Sequence, residues 1–313
     1  MSCVKDEGPF ILEFVAHHLA IGFDRVMMAS NNCSDGSDDL LDTLAQHGYV
    51  QHLRQTVKPN QVPQHAGYAK LRQRFGLDGV SWLIALDVDE FLHVSLKGGR
   101  VQDLTNSAPE NVDMIVLNAK TFGTALGATW QPGRVCAQFQ YRLAHHHPAN
   151  GNVKTLTRAP QRFRAVHNHH MEGYAGDGPL QIMRADGTVF SADDRKPLKD
   201  HIRITPIKKI SHALAHYNHY AIKTYDSFAL RRARGRGAVS QVQAQEEVPR
   251  HSDDYFAARM DAPIFDDAIT TYAPQVIAKM AQMLAHPDIN AAQVQAEAHY
   301  RSRLQSLDFG LPI

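Results

Sequence analysis

Asp87 and Asp89 stand two positions apart directly after a continuous apolar run, Trp82-Leu-Ile-Ala-Leu86. In extended backbone such side chains leave the same face, so two carboxylates can share one divalent cation. Carboxylate oxygens suit hard ions, and Mg²⁺ or Mn²⁺ held in this way commonly bridges a protein to substrate phosphates. A bare Asp-x-Asp also reads as a strand-terminal loop with solvated acids, so position decides between the two. Glu90 is either a partner behind the pair or a solvated side chain. The sequence holds 19 histidines, nine of them clustered at 145 to 147, 167 to 170 and 212 to 219. Neutral imidazole accepts Mn²⁺ more readily than Mg²⁺. His219 is the first candidate ligand, and His169 and His170 follow. A single histidine is more often a hydrogen-bonded structural or surface residue, and His145 to His147, before Pro148, are read as surface.

The elements that must position these groups alternate. Met1 to Val4 is a strand candidate, and the first strand begins so early that a few N-terminal residues are expected to be missing. Ile11, Phe14, Val15 and Leu19 recur at helical spacing between Pro9, a first-turn residue, and Gly22, a stop signal. Arg25 to Ala29 reads as a buried strand. Ser37 is placed to cap a second helix with Asp38 and Asp39 in its first turn and Gly48 at its end. A strand at Tyr49 to Leu53, a helix over 64 to 75, the strand Trp82 to Leu86 and a strand at Asp113 to Leu117 continue the series. The pattern predicts an α/β fold, a mostly parallel sheet with helices on both faces. Ligands in such sheets sit at the carboxyl ends of strands, where Asp87 and Asp89 lie.

From Phe122 to about Arg203 the periodicity fades, and long loops with short antiparallel strands are expected. A helix over Ala221 to Arg234 closes this part, and Gly235 to Asp254 reads as a polar linker. The helices expected at Tyr272 to His286 and Ala291 to Arg303 form a C-terminal appendage. The division predicted is therefore 1–235 as the main domain and 236–313 as linker and helical extension.

With Lys+Arg at 33 and Asp+Glu at 32 the formal charge is +1, which argues against generic nucleic-acid binding. An apolar share of 43% with 21% charged residues excludes a disordered or coiled-coil chain. Cys3, Cys33 and Cys136 are an odd number with no CxxC spacing, which fits a reducing cytoplasm better than a disulfide framework or zinc site. No run approaches the roughly 20 apolar residues of a membrane span. Lys5, Asp6, Glu7 and Glu13 interrupt any signal-peptide core.

Several blocks taken together carry a resemblance. Val4-Lys-Asp-Glu-Gly-Pro, Leu12-Glu-Phe-Val-Ala-His-His18, Gly22-Phe-Asp24, Ser30-Asn-Asn-Cys-Ser-Asp-Gly36 and Trp82-Leu-Ile-Ala-Leu-Asp-Val-Asp-Glu-Phe-Leu92 resemble, in order and spacing, the family 2-like glycosyltransferases. Phe122-Gly-Thr, His219-Tyr-Ala-Ile-Lys-Thr, Phe228 and Arg234-Gly235 look like that group's later blocks, so the resemblance covers about residues 1 to 236. It implies a GT-A fold over 1–235, a nucleoside-diphosphate sugar donor and Mn²⁺ or Mg²⁺ at the Asp-x-Asp motif. It also implies transfer of hexosyl type to a carbohydrate or lipid-linked hydroxyl, with inversion and with peripheral membrane contact where the acceptor is lipid-linked.

By the same resemblance Asp87 faces nucleotide or ribose as well as the ion, and Asp89 holds the metal with His219. Lys5, Asp6 and Glu7, together with Asn31, Asn32 and Asp35, flank base and ribose. Many relatives carry an acid where this chain has Asn31-Asn32. Ser34-Asp-Gly36 is equally a plain turn before a helix cap. Lys223, Arg231, Arg232, Arg234 and Arg236 either reach the diphosphate or form a solvated helix face. Lys154 and Arg158 are placed on the acceptor side. Inversion needs a base, for which Glu172 and Asp177 are the candidates by location. The rival readings are a metal-dependent phosphohydrolase and a sugar- or nucleotide-binding module without chemistry.

Overall fold

In the computed structural model, residues 1–124, 129–192, 197–246 and 251–307 are described. The first half follows the expected alternation: β1 (Ser2–Val4), α1 (Gly8–Ala20), β2 (Met27–Asn31), α2 (Ser37–Gln46), β3 (Gln51–Gln55), α3 (Pro63–Phe75), β4 (Trp82–Leu83), β5 (Glu90–Val94), α4 (Val101–Ser107) and β6 (Met114–Thr121). Helix α1 carries Pro9 in its first turn and ends before Gly22, whose φ of 103° only glycine adopts readily. Between those ends nearly every side chain is buried, including His17 and His18. Strands β1, β2 and β3 form a parallel three-stranded sheet with β2 in the middle.

The second half adds α5 (Val135–Gln138), β7 (Tyr141–Arg142), β8 (Val153–Arg158), β9 (Phe163–Val166), β10 (Met171–Tyr174), β11 (Gln181–Arg184), β12 (Val189–Ser191), α6 (Leu198–Ile202), β13 (Ala215–His219) and α7 (Tyr225–Arg234). After these come α8 (Gln241–Glu246), α9 (Asp253–Met260), β14 (Ile264–Phe265), α10 (Ala273–Leu284) and α11 (Pro287–Ser306). The larger sheet is organised on β6, which pairs parallel with β11 and β13 and antiparallel with β8. Strand β5 then runs antiparallel to β13. The expectation of a mostly parallel sheet is thus corrected to a mixed α/β architecture: only the first sheet is wholly parallel. The antiparallel neighbours come from distant segments: β8 runs antiparallel to both β4 and β6, and β13 to β5, so strand direction is set by long-range pairing rather than by helical crossovers.

Three boundaries differ for identifiable reasons. The strand expected over Trp82 to Leu86 is reduced to β4, although the Leu86 amide still donates to the Met1 carbonyl at 3.0 Å and so joins the two sheets. The helix expected from Ala221 starts only at Tyr225, because Lys223 takes a left-handed φ of 50°. Ser37 is not the cap of α2. Gly36 holds that position, and the Ser37 hydroxyl instead accepts from the Glu7 amide at 2.9 Å. The stretch read as linker, 235 to 254, contains α8 and the start of α9; its residues 247–250 lie outside the described residues.

The C-terminal helices share the main core. Val276, Met283, Ile289, Tyr300 and Leu304 are buried in one cluster with Phe10, Phe14 and Leu41 of the first two helices. Ala296 of α11 is fully buried against the beginning of α1, where a Cβ built on Gly8 would lie 2.7 Å from the Ala296 methyl. No helix among the described residues is long and apolar enough to cross a membrane. Since neither the Ala296 methyl nor the helix start can give way cheaply, Gly8→Ala is expected to destabilise the protein by about 1–3 kcal/mol. Urea unfolding at equilibrium measures this, and an unchanged midpoint would show that α11 docks loosely.

Candidate functional site

The ends of β1 and β2, the turn between β4 and β5, the end of β13 and the last turn of α7 surround an open cleft of about 1570 Å³. The turn is what aims the acids. The Glu90 amide donates to the Asp87 carbonyl at 2.9 Å, so Asp87, Val88 and Asp89 reverse the chain before β5. This replaces the expected extended backbone with alternate side chains on one face. Asp87, Asp89, Glu90 and His219 all line the cleft.

Asp89 is 1% exposed. Its Oδ2 accepts a very short hydrogen bond from the Arg231 guanidinium and lies 3.9 Å from His219 Nε2. Its Oδ1 is buried with no hydrogen-bond partner among the described residues. Burial alone would raise the Asp89 pKa, but Arg231, His219 and Lys223 outweigh it and hold the carboxyl well below the usual range. His219 is itself pushed down to about 3 by burial. It is therefore neutral at pH 7, and Arg231 and Lys223 carry the stabilisation.

Asp87 is braced from two sides. Its Oδ1 accepts from Gln64 Nε2 at 2.6 Å, and Oδ2 lies 3.3 Å from Lys154 Nζ. Glu90 Oε2 sits 2.7 Å from the same ammonium and accepts the Asp87 amide at 2.8 Å. Glu90 is thus a buried partner behind the acid pair. Burial and the two neighbouring aspartates push its pKa up against the pull of Lys154. Lys154, expected on the acceptor side, is the buried counter-ion of this cluster. Arg158 is elsewhere, with its guanidinium 4.7 Å over the Trp82 ring.

The residues expected around the nucleotide divide. Lys5, Glu7, Asn31 and Asn32 line the cleft, with Glu7 in an ion pair with Arg234 at 3.0 Å. Asp6 lies beside it in a small side pocket with Lys223. Asp35 does not face the cleft. Its Oδ1 accepts from the Ser37 amide and its Oδ2 from the Gly8 amide, both at 2.9 Å, so it ties together the starts of α1 and α2. Lys223 is buried with its ammonium 4.5 Å over the Phe10 ring. Burial lowers its pKa to about 8 despite Asp89 and Glu7 nearby.

Of the basic run, Arg231, Arg234 and Arg236 line the cleft, whereas Arg232 turns outward to Asp253 at 2.5 Å. Neither proposed base is in the cleft: Glu172 lies 3.3 Å from His167 on the β9–β10 hairpin, and Asp177 is exposed beyond it. His169 lines the cleft. His170 is buried away from it, beside Glu172 at 3.8 Å. The local reading missed Gln64 and the segment Gly237 to Ala244, which borders the cleft. The Gly237 carbonyl accepts the Gln64 amide at 3.0 Å, a contact across the chain that no local pattern signals.

Asp87, Asp89 and His219 do not form a compact three-ligand set. Among the described residues, the only three such side chains with ligand atoms all within 4.8 Å of one another are Asp6, Cys33 and Asp35. The carboxylates of that trio are already occupied by Ser34, Ser37, Gly8 and Arg303.

No protein-family model matches the chain. Over 171 residues, 54% of the chain, it is 25% identical to a Glycosyltransferase family 92 protein of Oryza sativa subsp. japonica. Over 127 residues, 38% of the chain, it is 32% identical to a Glycosyltransferase family 92 protein of Ricinus communis. The matches span 29% and 22% of those relatives, so the chain corresponds to less than a third of their length. Both relatives are named for glycosyltransferase family 92, which supports the resemblance to glycosyltransferases but not to family 2. Among solved structures, S. aureus TarS 1-349 is 11% identical, with 97% of this chain and 90% of that one covered and a TM-score of 0.31. A likeness that slight adds nothing to the argument.

The buried histidines make one consequence measurable. Burial pushes His17, His93, His170 and His212 down to about 4, from an ordinary value of 6.5, and His219 lower still. The unfolded chain therefore binds protons that the native protein refuses. The contribution of these histidines is complete above about pH 6.5 and falls as pH drops from there toward 4, while Glu13, raised to about 7 by burial, works in the opposite direction. Each such group contributes up to about 1.4 kcal/mol per pH unit. Urea midpoints at pH 7.5, 6 and 5 are expected to decline steeply, and His17→Gln should make the decline shallower. Equal slopes for wild type and variant would contradict this.

Proposed function

We propose that this chain is a glycosyltransferase of the nucleoside-diphosphate-sugar type, dependent on Mn²⁺ or Mg²⁺, that moves a sugar with inversion onto a carbohydrate or lipid-linked acceptor hydroxyl. One observation carries the reading: Asp87 and Asp89 face a cleft beside the ends of β1 and β2, with Arg231 and Arg234 along its edge. The similarity to the two plant proteins named as glycosyltransferases supports the reaction class.

The reaction breaks the bond between the anomeric carbon and the diphosphate, forms one to the acceptor oxygen, and leaves a nucleoside diphosphate with growing negative charge. Fixed cations in a water-poor cleft stabilise such charge far better than in bulk water. Arg231, Arg234 and buried Lys223 are the groups that would do so. The donor types present suit the proposed ion, and Asp87, Asp89 and His219 would have to close from their present spacing to share it. Asp89 offers a buried oxygen without a partner among the described residues, Asp87 keeps 29% of its side chain exposed, and His219 adds a neutral ring nitrogen. Asp87, Asp89 and His219 would hold the ion, which supplies Lewis-acid stabilisation of the departing diphosphate. Lys5, Asn31 and Asn32 would meet base and ribose. Asn152, Asn168 and His169, which also line the cleft, would meet the acceptor. A lipid-linked acceptor would bring this face to a membrane surface.

Incubation of the protein with a panel of labelled nucleoside-diphosphate sugars and Mn²⁺ tests the proposal. At least one donor is expected to be consumed, and Asp89→Asn, which keeps the side-chain shape, should lower kcat/KM by about 10²-fold or more. Absence of turnover of every donor by the wild type, or full activity in Asp89→Asn, would overturn it.

A further inference from the structure

The start of α1 and the loop after β2, which flank the proposed nucleotide subsite, are held in place from the far end of the chain. Asp6, the second residue after β1, has a left-handed φ of 52° and is 4% exposed. An aspartate keeps such a conformation only where its surroundings over-determine it. Its Oδ1 accepts from the Ser34 amide at 2.7 Å and from the Ser34 hydroxyl at 3.2 Å. Its Oδ2 accepts from Arg303 Nη1 at 2.8 Å, and the same nitrogen donates to the Ser34 hydroxyl at 3.1 Å. One guanidinium of α11 thus bridges the two loops.

The helix that carries Arg303 is itself seated rigidly. Ala296 fills the space over Gly8, and a Cβ on Gly36 would lie 3.5 Å from His299 Nδ1. Tyr300 packs edge-on against Phe10 at 5.5 Å and against Trp130 at 5.1 Å. The position of Arg303 is therefore set by the core, and its charge faces a nearly fully buried carboxylate, where a charge-assisted hydrogen bond is strong. Arg303 does not line the cleft.

We propose that Arg303 is a positioning residue for the donor-nucleotide subsite: through Asp6 and Ser34 it fixes the loops that receive base and ribose. This rests on the function proposed above. It predicts an effect on donor binding with little on the chemical step, since Arg303 lies outside the cleft that Asp89 lines. A purely structural role would lower the amount of folded enzyme and would not separate donor affinity from turnover.

The test compares Arg303→Ala, Arg303→Lys and, as a control on the same helix, Arg301→Ala. Donor KM, acceptor KM, kcat and amide hydrogen exchange at Gly8 and Ser34 are measured on the full chain. In Arg303→Ala the donor KM is expected to rise at least about fivefold, with kcat and acceptor KM within twofold and faster exchange at Gly8 and Ser34. Arg303→Lys should restore most of the donor affinity, and Arg301→Ala should match the wild type. Unchanged donor KM, parallel loss of kcat with folded protein, or the same effect in Arg301→Ala would overturn the proposal. Failure of the wild type to bind or use any nucleoside-diphosphate sugar would instead overturn the function beneath it, and with it the donor role of Arg303. The exchange rates would then show separately whether Arg303 holds the loops.

Discussion

The arrangement depends on the pairing of Asp89 with Arg231. A carboxylate buried at 1% exposure is tolerable only beside a compensating charge, and removing one partner of such a pair costs about 3–5 kcal/mol. The pair joins parts of the chain far apart in sequence, the turn before β5 and the α7 helix, and so fixes two sides of the cleft relative to each other. Lys154 does the same for Asp87 and Glu90 from β8. Acids and cations are thereby concentrated in one place with nearly balanced charge, which suits the reception of an anionic ligand together with a cation.

The same economy governs the rest of the scaffold. Asp35 satisfies the Gly8 and Ser37 amides and locks the first turns of two helices together. The Glu13 carboxylate accepts from the Val135 and Cys136 amides, and its burial raises its pKa to about 7. These are buried polar groups whose partners come from distant segments. The C-terminal helices belong to this network: α11 packs on α1 and α2 and sends Arg303 to Asp6 in the segment after β1, which Arg234 also reaches from α7. The region expected as an appendage is buried in the main core with the first two helices.

Much of the local structure was legible in the residues. Pro9, the apolar spacing behind it and Gly22 mark α1, and the run after Ser37 marks α2, because caps and periodicity act over a few residues. The placement of Asp87 and Asp89 beyond a buried strand was legible for the same reason. Strand β5 was not: Glu90-Phe-Leu-His-Val is buried on both faces, so it shows no alternation, and it follows the acids too closely to stand apart. The mixed sheet escaped because register and direction are set by contacts between distant strands. Lys154, Gln64 and Arg303 show the same limit, since each finds its carboxylate only through tertiary folding. Lys223 shows it in reverse: its left-handed backbone interrupts a helical pattern that its neighbours continue.

The central claim is that the Asp89–Arg231 corner of the cleft receives a diphosphate. Calorimetric titration of uridine, guanosine, cytidine and adenosine diphosphates into the wild-type protein, with Mn²⁺ and again with a chelator, tests it most directly. The account predicts that at least one nucleotide binds, that Mn²⁺ tightens it by about tenfold or more, and that the heat of binding vanishes in Arg231→Ala. Binding of none of the four with Mn²⁺ present, or binding indifferent both to the metal and to Arg231, would contradict it.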